Sequence, residues 1–281
     1  MNRQSTSPPW LRGAGPAVPA FLVGFGAIFF STVYYYHGRK AEFGAFARAL
    51  LPGSFQSTEA MAAWGGVFQC GAALLLLLLP SLLLARFVTK LDLASLGMRV
   101  GEWKWGLAVS VPPAVLVFPL FWFGQQPEAG LCEVYPLVSF ARESTGSFLL
   151  WATCYLVYYI AWEGLFRGVI QLGLGKQLGL VPAMLLQTAL TTLLHAGGPE
   201  LETLAALVAG PVLGLIAVRT GSVFYPLLIH FAAGVATDLS CIRLGGAMVD
   251  GLRSPAVALC EGGWSMVGCE VADAVARLVG G

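Results

Sequence analysis

The stretch WATCYLVYYIAWEGLFRGVI, residues 151–170, decides how the chain must be read. It is apolar enough to cross a bilayer, yet it carries Glu163 and Arg167 near its C-terminal end. A charged side chain at mid-bilayer costs about 2.5–3.5 kcal/mol on insertion scales, so it normally faces a protein interior or a wet cavity. On a helix the four-residue spacing puts both charges on one face, where they can pair. A buried salt bridge, or an arginine snorkelling to the interface, is the plain explanation of such a pair. A functional one gains weight downstream, because two of the chain's three histidines, His195 and His230, also lie in apolar segments.

The rest of the chain has the same character. Of its 281 residues 57% are hydrophobic and 11% charged, where soluble domains carry about a quarter charged residues. The expected fold class is all-α, a polytopic transmembrane helical bundle of about seven spans, within a range of six to eight. Seven apolar segments cover residues 16–36, 62–87, 105–123, 147–170, 182–195, 203–218 and 223–240. The second contains Pro80, read as a kink. The fifth is short for a span of about 20 residues and is expected to be tilted or partly interfacial. The organisation is a polar amino-terminal tail (1–15), amino-terminal transmembrane helices (16–145), a core (146–240) and a tail (241–281) with an interfacial helix. The first apolar run lacks a small-x-small cleavage site and reads as a retained span.

A net charge of +1, with no basic cluster interleaved with aromatics, gives no sign of a nucleic-acid partner. No internal repeat is visible, which disfavours an inverted-repeat transporter using Glu163 and His230 as proton relays. Eight Lys or Arg residues fall on the amino-terminal side of the membrane against seven on the other, a weak lean toward a cytoplasmic amino end. That orientation places Cys132, Cys241, Cys260 and Cys269 at or beyond the outer face, in an oxidising compartment, and Cys70 and Cys154 inside spans. A disulfide from Cys132 to Cys260 or Cys269 is expected to tie the tail to the loop before the core. The six cysteines form no CxxC, so a structural zinc site is not expected.

Glu163, Arg167, His195 and His230 are the candidate catalytic residues. A carboxylate and two imidazoles are what amide hydrolysis needs: Glu163 to take a proton from a water shared with His195, a second imidazole or a metal to stabilise the oxyanion. Arg167 holds the Glu163 rotamer. Glu202, after the turn in HAGGPELE, and Asp238, two turns after His230, are expected to accept the distal N–H groups of the histidines and fix their tautomers. Gly234, one turn after His230, leaves room beside the imidazole for a ligand or water. Glu163, His195 and His230 are also the candidate ligands of a divalent metal such as zinc, although no HExxH occurs.

These residues carry a resemblance. Residues 146–240 resemble the CPBP family of intramembrane endopeptidases, the CAAX-processing and bacteriocin-processing group. That family shows Glu-Glu-x-x-x-Arg, Phe-x-x-x-His and His-x-x-x-Asn stretches on successive membrane helices. Glu163 and Arg167 match the second Glu and the Arg, while Trp162 stands in place of the first Glu. His195 matches the second stretch, with Thr191 in place of Phe, and His230 matches the third, with Gly234 in place of Asn. The chain is similar to a bacterial branch with W-E-x-x-x-R-G, H-x-G-x-P-x-x-E and H-x7-D, in which Glu202 and Asp238 supply the missing carboxylates. The resemblance implies a bacterial inner-membrane enzyme that hydrolyses a peptide bond in a membrane-anchored or lipidated protein, through a glutamate-activated water or a metal. The alternative is a non-catalytic scaffold, an immunity or sorting partner, that binds a peptide in the same cavity.

Overall fold

A computed structural model describes residues 17–50, 58–124 and 130–245 of the chain. Among these residues the regular elements are all helical: α1 (Ala17–His37), α2 (Phe43–Leu50), α3 (Thr58–Ala72), α4 (Leu79–Thr89), α5 (Trp103–Gly124), α6 (Leu131–Val134), α7 (Thr145–Glu163), α8 (Gly175–Leu178), α9 (Leu180–His195), α10 (Glu200–Thr220) and α11 (Phe224–Leu244). Two π-helical stretches, Ala73–Leu78 and Gly164–Leu174, join α3 to α4 and α7 to α8 into longer rods. Among the described residues six helices are long and apolar enough to cross a membrane, with α9 a shorter apolar helix beside them.

The short α9 crosses as well, and a parity argument settles it. Cys132, just before α7, is disulfide-bonded to Cys241, near the end of α11, so both stand on one side of the membrane. Between them lie three long spans, the α7–α8 rod, α10 and α11. Three crossings alone would leave the cysteines on opposite sides, so α9 is the fourth. Its 16 residues rise about 24 Å, against a hydrocarbon core of about 30 Å. Among the described residues the bundle therefore has seven spans, as the segment pattern predicts.

Large apolar side chains such as Phe21, Phe25 and Phe29 on α1 and Leu116, Leu120 and Phe123 on α5 point outward, while Glu163, Arg167, Gln171, Gln187 and Asp238 are buried. Where lipid is the solvent, polar groups go inside, and this is that pattern. The α7–α8 rod is the centre: half of its most apolar window is buried, against 17% for α5 at the rim. The rod packs against α3, α9 and α11, and α10 closes over α9. It passes close to its neighbours at glycines. A Cβ at Gly168 would stand 2.8 Å from the Leu96 carbonyl oxygen, and one at Gly164 would stand 2.8 Å from Leu78. The π-helical stretch Gly164–Leu174, which includes Arg167, starts at that contact; such widened turns recur at functional sites.

Three expectations change. The helix through Pro80 carries its irregularity upstream, in the π-helical stretch Ala73–Leu78. Proline lacks an N–H and its ring crowds the carbonyl four residues back, and a widened turn relieves both. Helix α11 runs to Leu244, four residues past the expected core boundary. Finally, Cys132 pairs with Cys241, whose Cα lies 5.0 Å away, and not with a tail cysteine. The end of α11 already faces the loop, so no longer tether is needed. Cys260, Cys269 and the expected interfacial helix lie outside the described residues.

The disulfide is one of two fastenings on the segment between α5 and α7. Arg142 donates from Nη2 to the Tyr135 carbonyl at 2.9 Å and from Nη1 to the Cys241 carbonyl at 3.3 Å. Together they strap this segment, and Tyr135 with it, onto the end of α11.

Candidate active site

A cavity of about 380 Å³ opens among α5, the α7–α8 rod, α9, α10 and α11. Its walls are mostly apolar, and its polar groups include Tyr135, Tyr159, Arg167, His195, Glu202 and His230. A second cavity of about 570 Å³, lined at its far end by Tyr34, Arg39 and Glu133, shares Tyr135, Trp162, His195 and Glu202 with the first. The two spaces meet at the His195–Glu202 pair.

Glu163, Arg167 and His230 form one group. Glu163 is wholly buried and Arg167 is 2% exposed. Arg167 Nη1 donates to Glu163 Oε1 at 3.1 Å, and His230 Nδ1 lies 2.6 Å from the same oxygen. Glu163 Oε1 already accepts from arginine, so His230 Nδ1 carries the proton and donates it, which leaves Nε2 as a lone pair. Trp162 meets His195 edge-on, with ring centroids 5.3 Å apart, and Tyr159 meets His230 edge-on at 4.6 Å. Glu163 itself is absent from the cavity wall; it stands behind His230.

His195 and Glu202 form the other group. His195 Nδ1 lies 2.7 Å from the Thr191 carbonyl, an acceptor only, so Nδ1 carries the proton and Nε2 is free. That Nε2 lies 3.6 Å from Glu202 Oε1. Tyr135 donates its hydroxyl to the same oxygen at 2.7 Å. Burial and the adjacent Glu202 carboxylate push the Tyr135 phenol well above its usual range, so it remains a protonated donor. The first turn of α10 carries Glu200 and Glu202, where a helix favours negative charge.

The four candidate catalytic residues thus gather around one cavity, with two corrections to the expected contacts. The distal N–H of His195 is taken by the Thr191 carbonyl, one turn back on α9, and Glu202 faces the opposite ring nitrogen. Asp238 touches neither histidine: its Oδ2 accepts the Trp151 indole N–H at 2.7 Å. Eight residues carry it about 12 Å along the helix from His230, level with Trp151 and away from the cavity. The space expected beside Gly234 is filled too, by the Tyr159 hydroxyl, with which a Cβ at that position would collide.

Residues 144–236 match the family model of Rce1-like proteins, described as type II CAAX prenyl endopeptidases. The match supports the resemblance of this core to the CAAX-protease family. Comparison with curated proteins and with solved structures finds no match. The CAAX-protease match spans both carboxylate–histidine groups and stops short of Asp238, the residue that stands apart from them. The similarity supports a CAAX-type intramembrane endopeptidase in general.

The residues do not fit the metal expected of them. His230 Nδ1 and Glu163 Oε1 point at each other and not at a common ion. Among the described residues no three His, Cys, Asp or Glu side chains form a group that would hold one. Two functional candidates escaped sequence reading. Tyr135 sits 67 residues from Glu202 and has no helical periodicity to flag it. Tyr159 did have a signal: it lies one turn before Glu163, as Gly234 lies one turn after His230, so both helices present them at the same level.

Proposed function

We propose that this protein hydrolyses a peptide bond in a membrane-anchored or lipidated protein, using a water activated by Glu202 at the His195 end of the cavity. The observation that carries the reading is that Glu202 and the free Nε2 of His195 face one another where two cavities meet. Tyr135 occupies Glu202 Oε1, leaving Oε2 for water. The water gives its proton to Glu202 as its oxygen attacks the scissile carbonyl carbon, and the carbonyl π pair moves onto oxygen. Collapse of that intermediate restores the C=O bond and breaks the C–N bond, and Glu202 returns the proton to the departing nitrogen. Glu163 acts from behind the wall: it fixes the His230 ring and tautomer, and Arg167 holds its carboxyl group in place. The mostly apolar first cavity suits a membrane segment or lipid chain.

The amino terminus is cytoplasmic in this reading. Three spans separate it from Cys132, and a disulfide at Cys132–Cys241 belongs in an oxidising compartment. The substrate is then an exported protein, met on the outer side of a bacterial inner membrane. A non-catalytic peptide-binding scaffold is the second reading, favoured by Trp162 in the position of the family's first Glu.

Purified full-length protein in liposomes, offered transmembrane peptides with and without a chelator, tests this. Turnover that persists in chelator is expected. Turnover abolished by chelator overturns the glutamate-activated water, and peptide binding without any cleavage leaves the scaffold.

A further inference from the structure

The hydrolytic reading leaves one requirement unassigned, a hydrogen-bond donor for the oxyanion. Such donors must be in place before charge develops. The histidines do not supply it in their neutral forms, because each has its one N–H engaged, His195 on Thr191 and His230 on Glu163. Glu202 only accepts, and the Tyr135 hydroxyl is held by Glu202. Arg167 spends Nη1 on Glu163, and its Nε is fully buried. The Trp162 indole nitrogen has no hydrogen-bond partner but is buried away from the cavity surface.

We propose that the Tyr159 hydroxyl is the oxyanion donor of this site, and that Gly234 is glycine because that hydroxyl occupies the place of its side chain. This rests on the hydrolytic reading above. Tyr159 and Gly234 both line the cavity. A Cβ at Gly234 would also come within 2.8 Å of the Tyr159 Cζ, so glycine is what admits the ring here. The ring is braced on its other side. Tyr159 donates to the Tyr155 hydroxyl at 3.0 Å, and Tyr155 stacks on Trp151 with centroids 4.8 Å apart. Trp151 is pinned in turn by Asp238 at 2.7 Å. This gives Asp238 a purpose that its distance from the histidines denies it otherwise.

A hydroxyl can rotate. With substrate absent, Tyr159 donates to Tyr155. As negative charge grows on the carbonyl oxygen, Tyr155 turns to donate to Tyr159, and Tyr159 donates to the oxyanion. One hydrogen bond, Tyr159 to Tyr155, is given up and two are made, and the second phenol strengthens the first as a donor. No proton leaves either tyrosine.

The test uses full-length protein in liposomes and a peptide that the wild type cleaves. Tyr159→Phe is expected to lower kcat by about 10²–10³-fold, the cost of losing one oxyanion donor, with KM and unfolding temperature unchanged. The pair Tyr159→Ala/Gly234→Asn places a side-chain amide donor in the vacated space and is expected to turn over faster than Tyr159→Ala alone. If the wild type cleaves and Tyr159→Phe cleaves as fast, the oxyanion assignment falls while the protease reading stands. A kcat loss with a lowered unfolding temperature, not relieved by the Asn pair, makes Tyr159 a packing residue and also overturns it. If the wild type cleaves no peptide, both readings fall together.

Discussion

The molecule holds two carboxylate–histidine pairs at one cavity, and they are built in opposite ways. Glu163 and His230 come from the middle of two spans; the carboxylate is wholly buried, and one of its oxygens is shared between an imidazole and a guanidinium. Glu202 and His195 sit at the two ends of a turn between helices; the carboxylate is a quarter exposed, braced by a phenol from a distant segment. The first carboxylate is locked and has no open approach for water. The second is open on two sides. A carboxylate that must exchange protons with water at every turnover needs the second setting, and one that must hold a ring at a fixed angle needs the first.

The sharpest way to break this contrast is Glu163→Ala. It strands the Arg167 charge in the bundle centre, and removing one partner of a buried pair costs about 3–5 kcal/mol. Thermal unfolding in detergent is expected to show a large loss of stability, with turnover lost as well; a variant as stable as wild type would mean that the pair is not the lock described here. Glu202→Gln is expected to do the reverse. Stability stays at the wild-type level, because the residue stands at a wet helix start, while turnover in liposomes falls by about 10²–10⁴-fold, the usual worth of a positioned acid–base group. Near-normal turnover in Glu202→Gln would move the base elsewhere. The smallest effect belongs to Tyr135→Phe, which removes one hydrogen bond to a carboxylate, worth about 1.5–3 kcal/mol. A roughly tenfold drop in kcat is expected, and an unchanged kcat would show that the strap serves stability alone.

The sequence made the locked pair the easier one to read. Glu163 and Arg167 stand four apart in a span, and only a helix face and the expense of bare charge in lipid are needed to pair them. His230 follows from the same logic, as a polar residue in the next apolar run but two. The open pair depends on geometry that periodicity does not carry. Thr191 takes the His195 N–H through a backbone carbonyl, which any residue type offers. Tyr135 reaches Glu202 only because Arg142 and a disulfide hold its segment down. Asp238 misled for a related reason. Its spacing from His230 was noted, but eight residues along a helix is a distance before it is a direction, and its partner Trp151 lies 87 positions earlier. The span count was legible throughout, down to the short fifth segment. The independent check on that crossing was not, since 16 residues is short for a span and the disulfide parity is visible only in the structure.

The Cys132–Cys241 bond also has a history built into it. The two sulfurs are 109 residues apart, which at about 5–20 residues per second of synthesis separates their appearance by roughly 5–20 seconds. In that interval Cys132 waits as a thiol while the central rod, α9, α10 and most of α11 are made. Its partner can reach it only when an even number of crossings lies between them, four in this structure. A chain with one helix left out, or inserted the wrong way round, presents Cys241 on the far side of the bilayer and stays open. The closed disulfide is therefore a chemical receipt for completed insertion, written last, and legible to any enzyme that distinguishes a thiol from a bridge.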